Sequence, residues 1–208
     1  DIVLNSEMIN YTSFGVDVDG MFIADIFNPN DILVVYNDAL EFYADEFSLD
    51  DIGELQNNEG YYIFTSIPDS LLEVIDGYPL ELNTEVVEIN AGAMNLVPYL
   101  PLENRSVEST FADIPVLIAL SDDGYYYIPS VNVNTIDDNG GMYPGEAYRV
   151  FLSGTEDYNL IYGDFLSRDA VEVNDNFEHT LSVQYADAIK PTGISYPIII
   201  SDIIGDIN

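Results

Sequence analysis

The chain has 208 residues, and 38 acidic against 4 basic side chains give it a net charge of −34 at pH 7. Such a surface repels phosphate backbones and anionic headgroups, so nucleic acid is not expected as a partner, and no apolar run is long enough to insert in a membrane. With 48% hydrophobic residues, 16 Tyr and 10 Phe the chain is too apolar for an acidic disordered tail, and having no cysteine it has no disulfide framework, thiolate metal site or cysteine nucleophile.

In chain order, residues 21–27 read as a short helix, and Asn28-Pro29-Asn30-Asp31 is a turn before an apolar strand at 32–36. Ser48, with Asp50 and Asp51 behind it, predicts a helical turn ending near Leu55, and 61–64 is the next strand. The segment 80–89 is expected to pass from one half of the chain to the other. Ser106 predicts a capped helical turn through Phe111, with Glu108 near its positive end. Strands follow at 116–120, 125–128, 149–152 and 197–200, separated by Ser121-Asp122-Asp123-Gly124 and by Asp137-Asp138-Asn139-Gly140-Gly141. The expected fold class is mostly β, with short helices inserted.

A repeat organises these elements. Ile9-Asn10-Tyr11 lies over Met94-Asn95-Leu96, an offset of 85 residues (Asn10 to Asn95). The helix end at Phe27 falls over Phe111, the turn at Asn37-Asp38 over Asp122-Asp123, and Phe42-Tyr43 over Tyr126-Tyr127. The block Glu59-Gly60-Tyr61 then lies over Glu146-Ala147-Tyr148, at an offset of 87 (Glu59 to Glu146). The expected organisation is two tandem β-modules, 1–82 and 83–165, and a C-terminal β-segment, 166–208, as a partial further domain or assembly strand. In that segment Tyr196, Ile198, Ile199 and Ile200 form an apolar strand that would complete a neighbour's sheet, so self-association is expected. The start at Asp1, with no basic leader, reads as a trimmed product or a piece of something longer.

The residues that carry chemistry are few. His179 is the sole histidine, no nucleophile elbow is present, and among 38 acids nothing marks a catalytic pair, so an enzyme is not expected. Asp17-x-Asp19-Gly20 and Asp137-Asp138-Asn139 resemble pieces of calcium loops without the closing Glu. They make Asp17, Asp19, Asp137 and Asp138 weak Ca²⁺ candidates, although Asx turns account for them without metal. No other cofactor is expected. Tyr125, Tyr126 and Tyr127, with Tyr61-Tyr62, are the candidates for glycan or partner contact by ring stacking. Glu59 and Glu146 are expected to accept backbone N–H groups and fix a strand-opening turn.

The second half also resembles a β-module of large secreted and surface proteins of marine and gliding bacteria and of some phage structural proteins. That module opens with Gly-Trp-Asn-Leu-Ile-Ser, matched here by Ala93-Met94-Asn95-Leu96-Val97-Pro98, and it continues with a Tyr-x-Pro strand, matched by Tyr127-Ile128-Pro129. Its Ile-Asn-Thr-Ile turn and Pro-Gly-Glu-Gly-Tyr strand are matched by Val133-Asn134-Thr135-Ile136 and Pro144-Gly145-Glu146-Ala147-Tyr148. Met94 stands where Trp is usual and Ala147 where Gly is usual. His179 and Pro191-Thr192-Gly193 resemble the opening of the β-domain that often follows. The resemblance implies display at a surface and no reaction. It adds to the charge, which suits a saline extracellular medium, and the expectation is an extracellular, cell-surface or virion unit that is structural or adhesive. A carbohydrate-binding module is the alternative.

Overall fold

The computed structural model describes residues 2–6, 8–67, 71–73, 75 and 77–163. These residues belong to one compact unit of the chain, Asp1–Val171. The expected assembly strand at Tyr196 and Ile198–Ile200, and His179, lie outside the described residues.

The first half supplies β1 (Ile2–Leu4), β2 (Ile9–Thr12), the helical turn α1 (Ile23–Ile26), β3 (Ile32–Tyr36), β4 (Phe42–Ala44), β5 (Leu49–Asp50), β6 (Tyr61–Thr65) and β7 (Leu71–Glu73). The second supplies β8 (Val87–Ile89), β9 (Met94–Pro98), α2 (Val107–Thr110), β10 (Val116–Leu120), β11 (Tyr126–Ile128), β12 (Val133–Asn134), α3 (Thr135–Asp138), β13 (Ala147–Leu152) and β14 (Tyr158–Leu160). The fold is mostly β. Antiparallel sheets in the order β2-β6-β3-β4-β5 and β9-β13-β10-β11-β12 have the same topology, and the ribbons β1-β7 and β8-β14 repeat each other too. Both five-stranded sheets carry their irregularity at the same place, between Ile32 and Val34 and between Val116 and Ile118.

The repeat extends to buried polar groups. Asn10 accepts the Asn5 N–H and donates to the carbonyls of Asn5, Met8 and Ile63. Asn95 accepts the Asn90 N–H and donates to Asn90, Ala93 and Val150. One buried amide thus closes the β-turn before the edge strand and ties it to the next strand. The tight turns correspond as well. Leu40 N–H donates to Asn37 O as Gly124 N–H does to Ser121 O, so Asn37 corresponds to Ser121 and Asp38 to Asp122, one place from the sequence alignment. Gly124 takes its positive φ without strain, whereas Leu40 holds φ 61° in the same position.

Each module has its own core. Phe14, Ile23, Phe27, Val35, Leu55, Tyr61 and Ile63 fill the first, and Tyr99, Val107, Phe111, Ala119, Met142, Tyr148 and Val150 the second. The capped turn at Ser106 forms as expected, its Oγ accepting the Ser109 N–H at 3.3 Å. The helix expected after Ser48 does not form. Ser48 sits at φ 52°, closing a 3-10 turn over Asp45–Phe47, and a residue in that conformation cannot be an N-cap. The 80–89 segment bridges the halves: the Leu80 N–H donates to Gly15 O at 3.4 Å, Leu82 O accepts the Gly163 N–H, and Val87 to Ile89 pair with β14. Among the described residues, no helix is long and apolar enough to cross a membrane.

Candidate functional site

The richest concentration of polar and aromatic side chains lies at the seam between the modules, where the edge strands β2 and β9 meet. The Tyr11 N–H on β2 donates to Asp122 Oδ2 in the β10–β11 turn at 3.1 Å. Reciprocally, the Leu96 N–H on β9 donates to Asp38 Oδ2 in the β3–β4 turn. Tyr11 corresponds to Leu96 and Asp38 to Asp122, so each module grips the other with the same pair of positions. That is the contact pattern of a two-fold dimer, made here within one chain. It also covers two free sheet edges, whose unpaired amides would otherwise invite other strands.

Further bonds fix the junction. Ser13 N–H donates to Gly145 O at 3.0 Å, and Ser13 Oγ accepts the Tyr99 N–H at 3.1 Å while its one proton lies between Tyr99 O at 2.8 Å and Glu146 O at 2.5 Å. Tyr62, Leu96 and Ala147 form a small apolar cluster with Tyr11 and Tyr36 packed against it. On the first sheet Tyr11, Tyr62, Tyr36 and Phe42 are successive cross-strand neighbours. Tyr36 stacks on Tyr62 at 4.5 Å and on Phe42 at 5.5 Å, while Tyr11 meets Tyr62 edge-on. Rings stacked on one another along a sheet turn their edges outward, so this ladder stiffens the sheet and offers no flat platform to a sugar. At the corresponding place of the second sheet, Arg149 pairs with Leu96 and Leu120, and its guanidinium interacts with Tyr11, Tyr62 and Asp38.

The two Glu-small-Tyr blocks flank the seam. Tyr148 is fully buried, donates to Glu146 Oε2 at 2.5 Å and accepts the Tyr143 N–H at 2.9 Å. Tyr61 does the same with Glu59 and the Gln56 N–H. The phenol, not the carboxylate, takes the backbone donor, and the carboxylate takes the phenol, which corrects the sequence expectation. Burial pushes both phenols well above their usual range. Burial also pushes Glu146 up to about 7, with Asp122 and Asp123 adding repulsion, although the Tyr148 hydroxyl favours the ionised form. Asp122 is raised by burial too.

The calcium candidates serve as structural acceptors and lie in different modules. Asp17 Oδ1 accepts from Asp19 N and Asn57 Nδ2, Asp19 Oδ1 accepts from Asn57 N, and Asn57 Oδ1 accepts the buried Val18 N–H. Asp137 takes the Val107 N–H at 2.7 Å and the Ser106 hydroxyl at 2.6 Å, bridging α2 and α3, and Asp138 beside it is exposed. A Ca²⁺ ion would have to displace these bonds. Chelation followed by millimolar Ca²⁺ at constant ionic strength is therefore expected to leave the melting temperature within about 1 °C. A rise of several degrees on adding Ca²⁺ would show that the ion outcompetes them.

Tyr125 and Tyr126 are each 38% exposed. Tyr127 is half-buried against the second core, and Tyr61 and Tyr62 belong to the first core and the seam. Thus only two of the five expected stacking residues face solvent. The seam residues Asp38, Asp122, Ser13, Tyr11 and Tyr36 are not visible as a set in the sequence. The repeated Glu and Tyr positions, and the alignment of Tyr11 with Leu96 and of the two acidic turns, are the sequence features that lead toward them. No protein-family model, curated protein or solved structure matches the chain.

Proposed function

We propose that the chain is a non-enzymatic structural or adhesive unit of an extracellular assembly: a repeating module of a surface protein, a filament subunit or a virion appendage. The reciprocal seam carries this reading. Carboxylates and tyrosines of the kind that line catalytic clefts here join two modules into a body of fixed shape, which is what a spacer or subunit needs. The net charge of −34 keeps such a body hydrated, and a saline medium with a Debye length of about 8 Å or less screens its self-repulsion. Its partners are further copies of itself or other surface or virion proteins.

Immunogold labelling of intact native cells or particles, with antibodies to the full chain, tests this: label is expected on the outer surface or its appendages. Label that needs permeabilisation would refute it. The exposure of Tyr125 and Tyr126 favours a second reading, a carbohydrate-binding module. A polysaccharide array separates the two, since glycan binding would be lost in Tyr125→Ala and Tyr126→Ala, whereas the structural reading expects no binding in any variant.

A further inference from the structure

Two cavities flank the seam, built from corresponding residues but unlike in charge. One, of about 280 Å³, is lined by Asp122, Asp123 and Glu146 with Val3, Tyr11 and Tyr143. The other, of about 220 Å³, has Asp38 and Glu59 at the same places, Ala39 in place of Asp123 and Glu88 in place of Val3. In the second cavity Asn37 Nδ2 reaches Glu59 at 3.4 Å and Arg149 attracts Asp38. In the first, the place of Asn37 is taken by Ser121, whose Oγ instead accepts the Tyr125 N–H at 3.1 Å. No described Lys or Arg lines that cavity, and the one ion pair among the described residues, Arg105–Glu103, is elsewhere. Three carboxyl groups therefore share a partly closed space at the junction, where the Tyr148 phenol donates to Glu146 and the Tyr11 and Asp123 backbone amides donate to Asp122.

We propose that this corner is a proton-operated latch: one proton held between Asp122 and Glu146 keeps the modules closed, and its loss as the medium turns alkaline loosens β2 from the second module. With the proton on Glu146, Asp122 stays ionised and accepts the Tyr11 N–H from the other module. With Glu146 ionised, two half-buried carboxylates confront each other beside Asp123, and the cheapest relief is to admit water by withdrawing Tyr11 and Ser13. The groups facing Glu146 are Asp122 and Asp123 from the β10–β11 turn, Tyr148 on β13, Tyr143 on its own loop and Tyr11 on β2. Its folded value of about 7 lies above the unfolded 4.5. The seam is therefore weakest above that window and gains stability as pH falls through 7 toward 4.5.

Amide hydrogen exchange on the full chain, corrected for intrinsic rates and held at one ionic strength, tests this. Between about pH 6 and about pH 8.5 protection at Tyr11 and Ser13 is expected to drop about tenfold, while Leu96 at the other corner changes less than about twofold. Glu146→Gln keeps an acceptor for Tyr148 and should flatten the change; Asp123→Asn removes charge from an exposed position and should lower the pH at which protection falls. A drop of equal size at Leu96, or one that persists in Glu146→Gln, overturns the latch. Should Glu146→Gln not fold, an unchanged transition in Asp123→Asn overturns it instead.

Discussion

Asn95→Ala is expected to lower the unfolding free energy by about 3 kcal/mol, and Asn10→Ala to do the same in the first module. Neither residue is more than 6% exposed. Asn95 Oδ1 accepts the Asn90 N–H at 2.8 Å, and its Nδ2 reaches Asn90 O at 2.9 Å, Ala93 O at 3.1 Å and Val150 O at 3.3 Å. Truncation leaves one backbone N–H and up to three carbonyls without the side chain that satisfied them. Each buried orphan costs about 1–3 kcal/mol, reduced where water enters the space left behind. The edge strand β9 would also lose its anchor to β13, so damage should spread to the seam. Urea denaturation with the slope held in common measures the loss, and a cost below about 1 kcal/mol would mean that these amides merely fill space.

Asn10 over Asn95 is also the clearest case of structure legible in sequence. An identical polar residue inside two otherwise apolar strand openings, at one offset, is what a shared internal hydrogen-bond set demands. The strands at 32–36, 61–64, 116–120 and 149–152 were legible for a different reason: β-branched and aromatic runs bounded by turn formers have few other ways to bury themselves. The segment after Ser48 reads as helical because Ser48 followed by Asp50 and Asp51 has the pattern of an N-terminal cap, which a turn-rich loop reaching down to Ile52 and Leu55 in the core carries equally well. The seam was hidden by abundance. Asp38 and Asp122 are two carboxylates among 38, and only the reciprocal placement of β2 and β9 singles them out. The Tyr ladder needs the register of four strands, which no local pattern supplies.

The small residue in the repeated Glu-small-Tyr block has its reason in the same seam, and Gly60→Val tests it with an expected cost of about 3 kcal/mol. A Cβ at Gly60 would stand 2.8 Å from Leu96 Cγ and 2.8 Å from the Leu96 carbonyl oxygen, on the edge strand of the other module. The carbonyl belongs to backbone paired with β13 and cannot yield, so the modules must part by several tenths of an ångström or β6 must shift. Its counterpart Ala147 is buried in the same apolar cluster as Leu96 and Tyr62, where a single methyl still fits. Gly20→Ala is the control: at φ 79° it strains the backbone but meets nothing within 4 Å, and it should cost only about 1 kcal/mol. If the clash lies at the seam, Leu96→Ala should recover part of the loss when combined with Gly60→Val, a coupling of about 1 kcal/mol or more in a double-mutant cycle. Strict additivity would place the damage within the first module's own sheet and leave the small residue without a role between the modules.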